Sequence, residues 1–208
     1  MAILLFAVLL VFPAGARAQQ DEPAPATEPA VLPAEALSYG AELEKHASPK
    51  LLDWARKHAR DLLRDEFTAN ELSAASIAKL FPAQPANAQE TVRFLVGYEV
   101  YRRSSSRQES RAAYLRDLDR DIEDLDHRIR MVEATGAPTL AAAENRNAAL
   151  ANGQRRREQL EIQRRLAASS EEVERKRVDT ALRWLAEAHS RVKDTPVEIL
   201  RAVPAPRT

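Results

Sequence analysis

Residues 115–139 read LRDLDRDIEDLDHRIRMVEATGAPT, and this stretch decides the fold. Leu115, Leu118, Ile122, Leu125, Ile129 and Val132 follow one another at spacings of 3, 4, 3, 4 and 3. That spacing places all six on one helix face, at the a and d positions of a heptad repeat. The residues between them are almost all charged, as a solvated flank requires. Thr135, Gly136, Ala137 and Pro138 then interrupt the pattern. Gly136 is expected to take the left-handed conformation that ends a helix, and Pro138 prevents simple continuation. Thr139 is expected to cap a following helix by accepting a bond from a free amide of its first turn.

The reading outward from here is an all-α chain built on a long antiparallel coiled-coil hairpin, residues 87–193, with its tip at 135–138. Folding the chain about Ala137 pairs residues whose numbers sum to about 274. In that register Ser104-Ser105-Ser106 faces Ala168-Ser169-Ser170, and Asp117 and Asp119 face Arg155-Arg156-Arg157. Phe94 falls near Ala181 and Trp184. Arg107 to Glu133 carries 6 Arg against 8 Asp or Glu, and Thr139 to Arg177 carries 9 Arg or Lys against 6 Glu. These weakly opposite charges favour pairing one arm with the other.

The second arm is the poorer in apolar residues. Between Leu150 and Leu160 it has little to bury, and Asn152-Gly153 is a place where it could bend or split. Two readings of the first arm's seam stay open. It is an ordinary imperfect coiled coil, or it is an incompletely covered stripe that receives a second subunit or a client segment. In the second reading Leu115, Leu118, Ile122 and Leu125, with Ala137 at the tip, are the partner-binding residues.

Ahead of the hairpin, Ile3 to Phe12 is a run of ten apolar residues, too short to span a bilayer comfortably. Pro13, Ala14 and Gly15 break it, and Ala16-Arg17-Ala18 fits an export cleavage site after Ala18. Residues 1–18 therefore read as a signal peptide, although no positive charge precedes the run. The alternative is a retained N-terminal membrane anchor. With cleavage, the mature chain is expected to be periplasmic or secreted, with no transmembrane segment. Residues 19–33 hold four prolines and no apolar periodicity, which reads as a disordered spacer.

Residues 34–86 read as short helices that form a base for the hairpin. Ser48 and Pro49 start one helix as cap and first residue. Thr68-Ala69-Asn70-Glu71 and Asn87-Ala88-Gln89-Glu90 both resemble capping boxes, the first opening a third short helix and the second the long arm. Val92, Phe94, Leu95, Tyr98 and Tyr101 meet Val178, Leu182, Trp184, Leu185 and Val192 at the root of the hairpin. Here the main hydrophobic core is expected, with Trp54 and Trp184 as core residues. Residues 194–208 read as a C-terminal tail that packs extended on the base or serves as a short linear motif.

Chemistry is sparse. With 31 basic and 31 acidic side chains, the chain lacks the basic excess of a general nucleic-acid binder. It has no cysteine, hence neither disulfides nor thiol chemistry. No phosphate loop, nucleophile elbow or metalloprotease signature occurs. Glu42 with His46 and His58 with Asp61 could each share a helix face, and two such pairs could hold a metal; solvated helix faces are the plainer account. The basic runs at 155–157 and 175–177 read as salt-bridged coat before they read as lipid or cell-wall contacts. No catalytic residue, metal ligand or cofactor is expected. The expectation is a non-enzymatic interaction or scaffold protein, its hairpin a docking rod in a bacterial envelope assembly, with protein partners and a possible homo-oligomer. The rival is a holdase-type chaperone that takes apolar client segments along the seam.

Overall fold

The computed structural model describes residues 34–64 and 72–206. The expected signal peptide, the proline-rich spacer and the Thr68-Glu71 box lie outside the described residues. Every regular element described is helical: α1 Ala34–His46, α2 Pro49–Leu62, α3 Ala74–Leu80, α4 Ala86–Ala134, α5 Leu140–Val192, and a 3-10 helix Val197–Ala202. The 49 residues of α4 and the 53 of α5 pack against each other as one hairpin. At about 1.5 Å per residue, each arm is roughly 70–80 Å long.

Several helix starts follow from local chemistry. Ser48 Oγ accepts from the Leu51 amide at 3.3 Å, with Pro49 at the first helical position, where its missing N–H costs nothing. Thr139 Oγ1 accepts from the Ala142 amide at 3.2 Å. α3 is capped by Ser73, whose Oγ accepts from Ser76 N at 3.1 Å. One capping expectation, at α4, is corrected. α4 begins at Ala86 with Pro85 in the cap position and no side-chain cap. Asn87 is already inside that helix, and Glu90 turns to Arg93 at 3.3 Å instead of closing a box. The neighbouring Gln89 amide donates to the carbonyls of Phe81 and Gln84, both at 2.9 Å, and ties the start of α4 to the loop before it.

The tip differs from the expectation in a way that resets the hairpin. Gly136 does not adopt the left-handed conformation. Thr135 and Thr139 are both extended, so the connection climbs beside α5 instead of turning tightly. Arg146 Nη1 donates to the Thr135 carbonyl at 3.3 Å, nearly two turns into α5. Facing residues consequently do not sum to 274. Asp126–Arg157 and Asp119–Arg164 each sum to 283, and Arg107–Glu174 sums to 281. The displacement is about one heptad, which leaves the same helix faces in contact. Asp119 therefore meets Arg164 rather than the 155–157 run, Asp117 pairs within its own helix with Arg120, and Ser104 lies opposite the 175–177 region rather than 168–170.

α5 runs unbroken through Asn152 and Gly153. Gly153 sits where the arms approach closely: a Cβ there would lie 2.9 Å from Ile129 Cγ1. The packing, not a bend, accounts for this glycine.

The main core lies at the root. It is built from Leu43 of α1, Leu51 of α2, Leu72, Ile77 of α3, and Val92, Phe94, Leu95, Val96 and Val100 of α4. Trp184, Leu185 and Val192 close it from α5, and Leu200 and Val203 from the tail. Trp184 is buried with its ring centroid 6.4 Å from that of Phe94. Trp54 is half-buried at the core's edge, stacked on His58 at 5.1 Å and set edge-on to Phe81. The tail packs on the base as a 3-10 helix, not as extended chain, and the Tyr39 hydroxyl donates to the Thr195 carbonyl at 3.1 Å.

Candidate interaction site

The five residues expected to bind partners lie at two places on the rod. Leu118 is buried, packed with Leu160 and Ala167 of α5. Leu115, Ile122 and Leu125 are half-buried around that cluster. The seam is therefore occupied by the chain's own second arm, and its flanks remain open. One flank is an open groove lined by Asp119, Ile122, Glu123, Glu161, Arg164 and Arg165. Its charges are largely matched: Arg164 donates to Asp119, and Arg157 beyond it bridges Asp126 at 2.7 Å and Glu161 at 3.2 Å. Ala137 is half-buried at the tip, between exposed Gly136 and Pro138. Two large apolar side chains near it are exposed, Met131 at 59 % and Leu140 at 79 %.

Between the root core and the distal cluster the seam turns polar. Ser104, Gln108 and Arg111 replace the leucines at heptad positions, with Arg107 on the flank. Gln108 donates to Glu171 at 3.4 Å, and Glu174 lies 3.0 Å from Arg177 and 4.0 Å from Arg107. The Ser104 hydroxyl and Glu174 Oε2 are buried with no hydrogen-bond partner among the described residues. An under-satisfied polar layer gives little stability, since buried polar atoms cost free energy when unpaired. It does isolate the two hydrophobic clusters from each other.

The base holds a charged knot that the sequence reading missed. Glu99 is fully buried within the apolar start of α4. Arg56 of α2 donates from Nε to Glu99 at 3.1 Å and from Nη2 to Glu44 of α1 at 3.2 Å. Arg102 approaches both carboxylates, at 3.4 Å and 3.5 Å. Burial, and then the neighbouring Glu44 carboxyl, push the Glu99 pKa above its ordinary value, against the pull of the two arginines. The available signal was positional: Glu99 follows Leu95 by four residues and Val96 by three, so it falls on the buried face.

The other candidates have partners of their own. Glu42 binds Lys45 at 2.7 Å, while His46 Nδ1 lies 2.9 Å from the Arg201 guanidinium. Burial against Trp54 lowers the His58 pKa. No group of three metal-ligating side chains gathers among the described residues. In the basic runs, Arg175 and Lys176 share Glu172, at 2.7 Å and 3.5 Å. No helix among the described residues is long and apolar enough to cross a membrane. No family model, curated protein or solved structure matches the chain.

Proposed function

We propose that the chain is an exported, non-enzymatic interaction protein whose hairpin is a docking rod in a bacterial envelope assembly. The observation that carries this reading is the division of labour along the hairpin. Its root is locked into a core shared by all five helices, whereas its far end holds exposed Met131 and Leu140 beside half-buried Ala137 about 60 Å away. A rigid spacer with exposed apolar side chains near its tip suits contact at a distance, because an exposed apolar patch at such a place serves as a contact site. The apolar run at Ile3–Phe12 and the Ala16-Arg17-Ala18 site support export. Residues 34–86, with the tail, would fix the base end; the tip would present the partner surface.

Site-specific photocrosslinking in the native host tests this, with the photoreactive group at Ala137 or at Ile122. The expected result is one discrete partner band from Ala137. A broad smear of unrelated clients at Ile122, with nothing discrete at the tip, would overturn the docking rod and favour a holdase.

A further inference from the structure

The outer face of α5 carries a second heptad seam. Ile162, Leu166, Ser169 and Val173 follow at spacings of 4, 3 and 4. Leu160 and Ala167, which pack on α4, lie about half a turn away around the helix, so this seam points out from the hairpin. Ile162 is 56 % exposed, Leu166 67 % and Val173 47 %. We propose that this face pairs with the same face of a second copy of the chain, antiparallel, about a twofold axis passing between residues 167 and 168. The proposal is independent of what the tip or base binds.

Self-complementarity selects this occupant. In an antiparallel coiled coil, a positions layer against d positions of the other helix. Ile162 then meets Val173 of the partner subunit, and Leu166 meets Ser169 of the partner subunit. The small serine leaves the space that a leucine fills. On the flank, Arg165 and Glu172 are seven residues apart and occupy equivalent heptad positions. Antiparallel pairing sets Arg165 beside Glu172 of the partner subunit, a carboxylate that already holds Arg175 and Lys176 of its own helix, and the twofold axis repeats that contact. A parallel in-register pair would set Ser169 against its own copy, leave a void, and face Arg165 with Ser170 of the partner subunit instead of a carboxylate. An unrelated client would not supply the reciprocal pattern that an isologous contact requires. Four seam positions cover less than the roughly 800 Å² per partner of a standard stable interface, so the dimer should be concentration-dependent. The axis falls near the middle of α5, so each tip lies level with the other copy's base, and the dimer presents a tip at both ends.

The chain has no cysteine, so introduced thiols are the only ones. The full chain, purified as its host accumulates it, is made separately as Ile162→Cys and Val173→Cys. Oxidation should give disulfide-linked dimers mainly when the two are mixed. Linked dimers within each preparation alone, with no gain on mixing, would mean parallel pairing and overturn the proposed geometry. In sedimentation equilibrium the unmodified chain should approach the mass of two copies with rising concentration. Leu166→Glu should weaken association at least tenfold with helix content by circular dichroism unchanged. Arg165→Glu should weaken it, and adding Glu172→Arg should restore it. A single-chain mass at every concentration, or association indifferent to Leu166→Glu, would overturn the proposal.

Discussion

Single residues at the root set how closely the helices approach. A Cβ on Gly97 would fall within the Trp184 ring, and one on Gly40 within the ring of Tyr98. In both places an aromatic face lies directly on bare backbone. Gly97→Ala is therefore expected to destabilise the chain by about 1–3 kcal/mol through overpacking, although alanine is the better helix former; urea unfolding followed by tryptophan emission measures it. A neutral or stabilising result would mean that Trp184 can swing clear. Glu99 gives the base a pH dependence. Its pKa is raised on folding from the ordinary 4.5, so the folded chain keeps a proton that the unfolded chain has released. The contribution of this group to stability is complete below about pH 4.5 and is lost as pH rises through the folded value. Glu99→Gln removes that titration. The stability of the natural chain relative to Glu99→Gln should accordingly fall as pH climbs from 4.5 toward neutrality. A relative stability that climbs instead would mean that Arg56 and Arg102 outweigh burial.

At the scale of elements, the heptad seam was legible because one periodicity, carried by Leu115 to Val132, dictates one helix face. The hairpin was legible because Gly136 and Pro138 interrupt that pattern without a second breaker as strong. The register was not, and the reason is physical. A seam that repeats every seven residues packs equally well when displaced by seven, so only the tip and the charges choose. A tight reversal at Ala137 implies one choice. The extended path from Thr135 to Thr139 implies another, and Asp119–Arg164 and Asp126–Arg157 satisfy it twice, one heptad apart. Glu99 escaped notice because charge normally signals a solvated face, and only the three-helix convergence of Glu44, Arg56 and Arg102 makes it a buried one. The outer seam of α5 escaped because its third member is a serine. The register has a direct test. Cysteines at Asp119 and Arg164 should join within one chain on oxidation, and cysteines at Asp119 and Arg155 should not, since residues 155 and 164 lie about 13 Å apart along the helix. Efficient joining of 119 to 155 would restore the symmetric fold-back and remove the displaced register.

Across the whole molecule, stability is concentrated at one end. The root core contains no α4 residue beyond Tyr101 and no α5 residue before Ala181, whereas the distal hairpin is held by Leu118, Leu160, Ala167 and the half-buried leucines around them. The polar layer of Ser104, Arg107, Gln108, Glu171 and Glu174 separates the two. Cooperativity passes between regions through shared packing, and a layer with unpaired buried atoms transmits little of it. The hairpin beyond the layer should then be dispensable for folding of the base. A chain in which residues 111–170 are replaced by a short glycine-rich turn joins two positions that already face each other, because residues 108 and 171 are in contact. This shortened chain is expected to unfold cooperatively and to keep the near-ultraviolet dichroism of Trp184 packed on Phe94. Its midpoint in urea should sit close to that of the intact chain when both are followed by tryptophan emission. Loss of the near-ultraviolet signal would show that the distal hairpin holds the base together. Retention would leave the rod free to be lengthened or shortened without cost to its anchorage, which is the physical freedom a spacer needs. Restoring the intervening heptads in whole sevens should then preserve the seam, while insertions of three or four residues in one arm should turn its leucines out of contact.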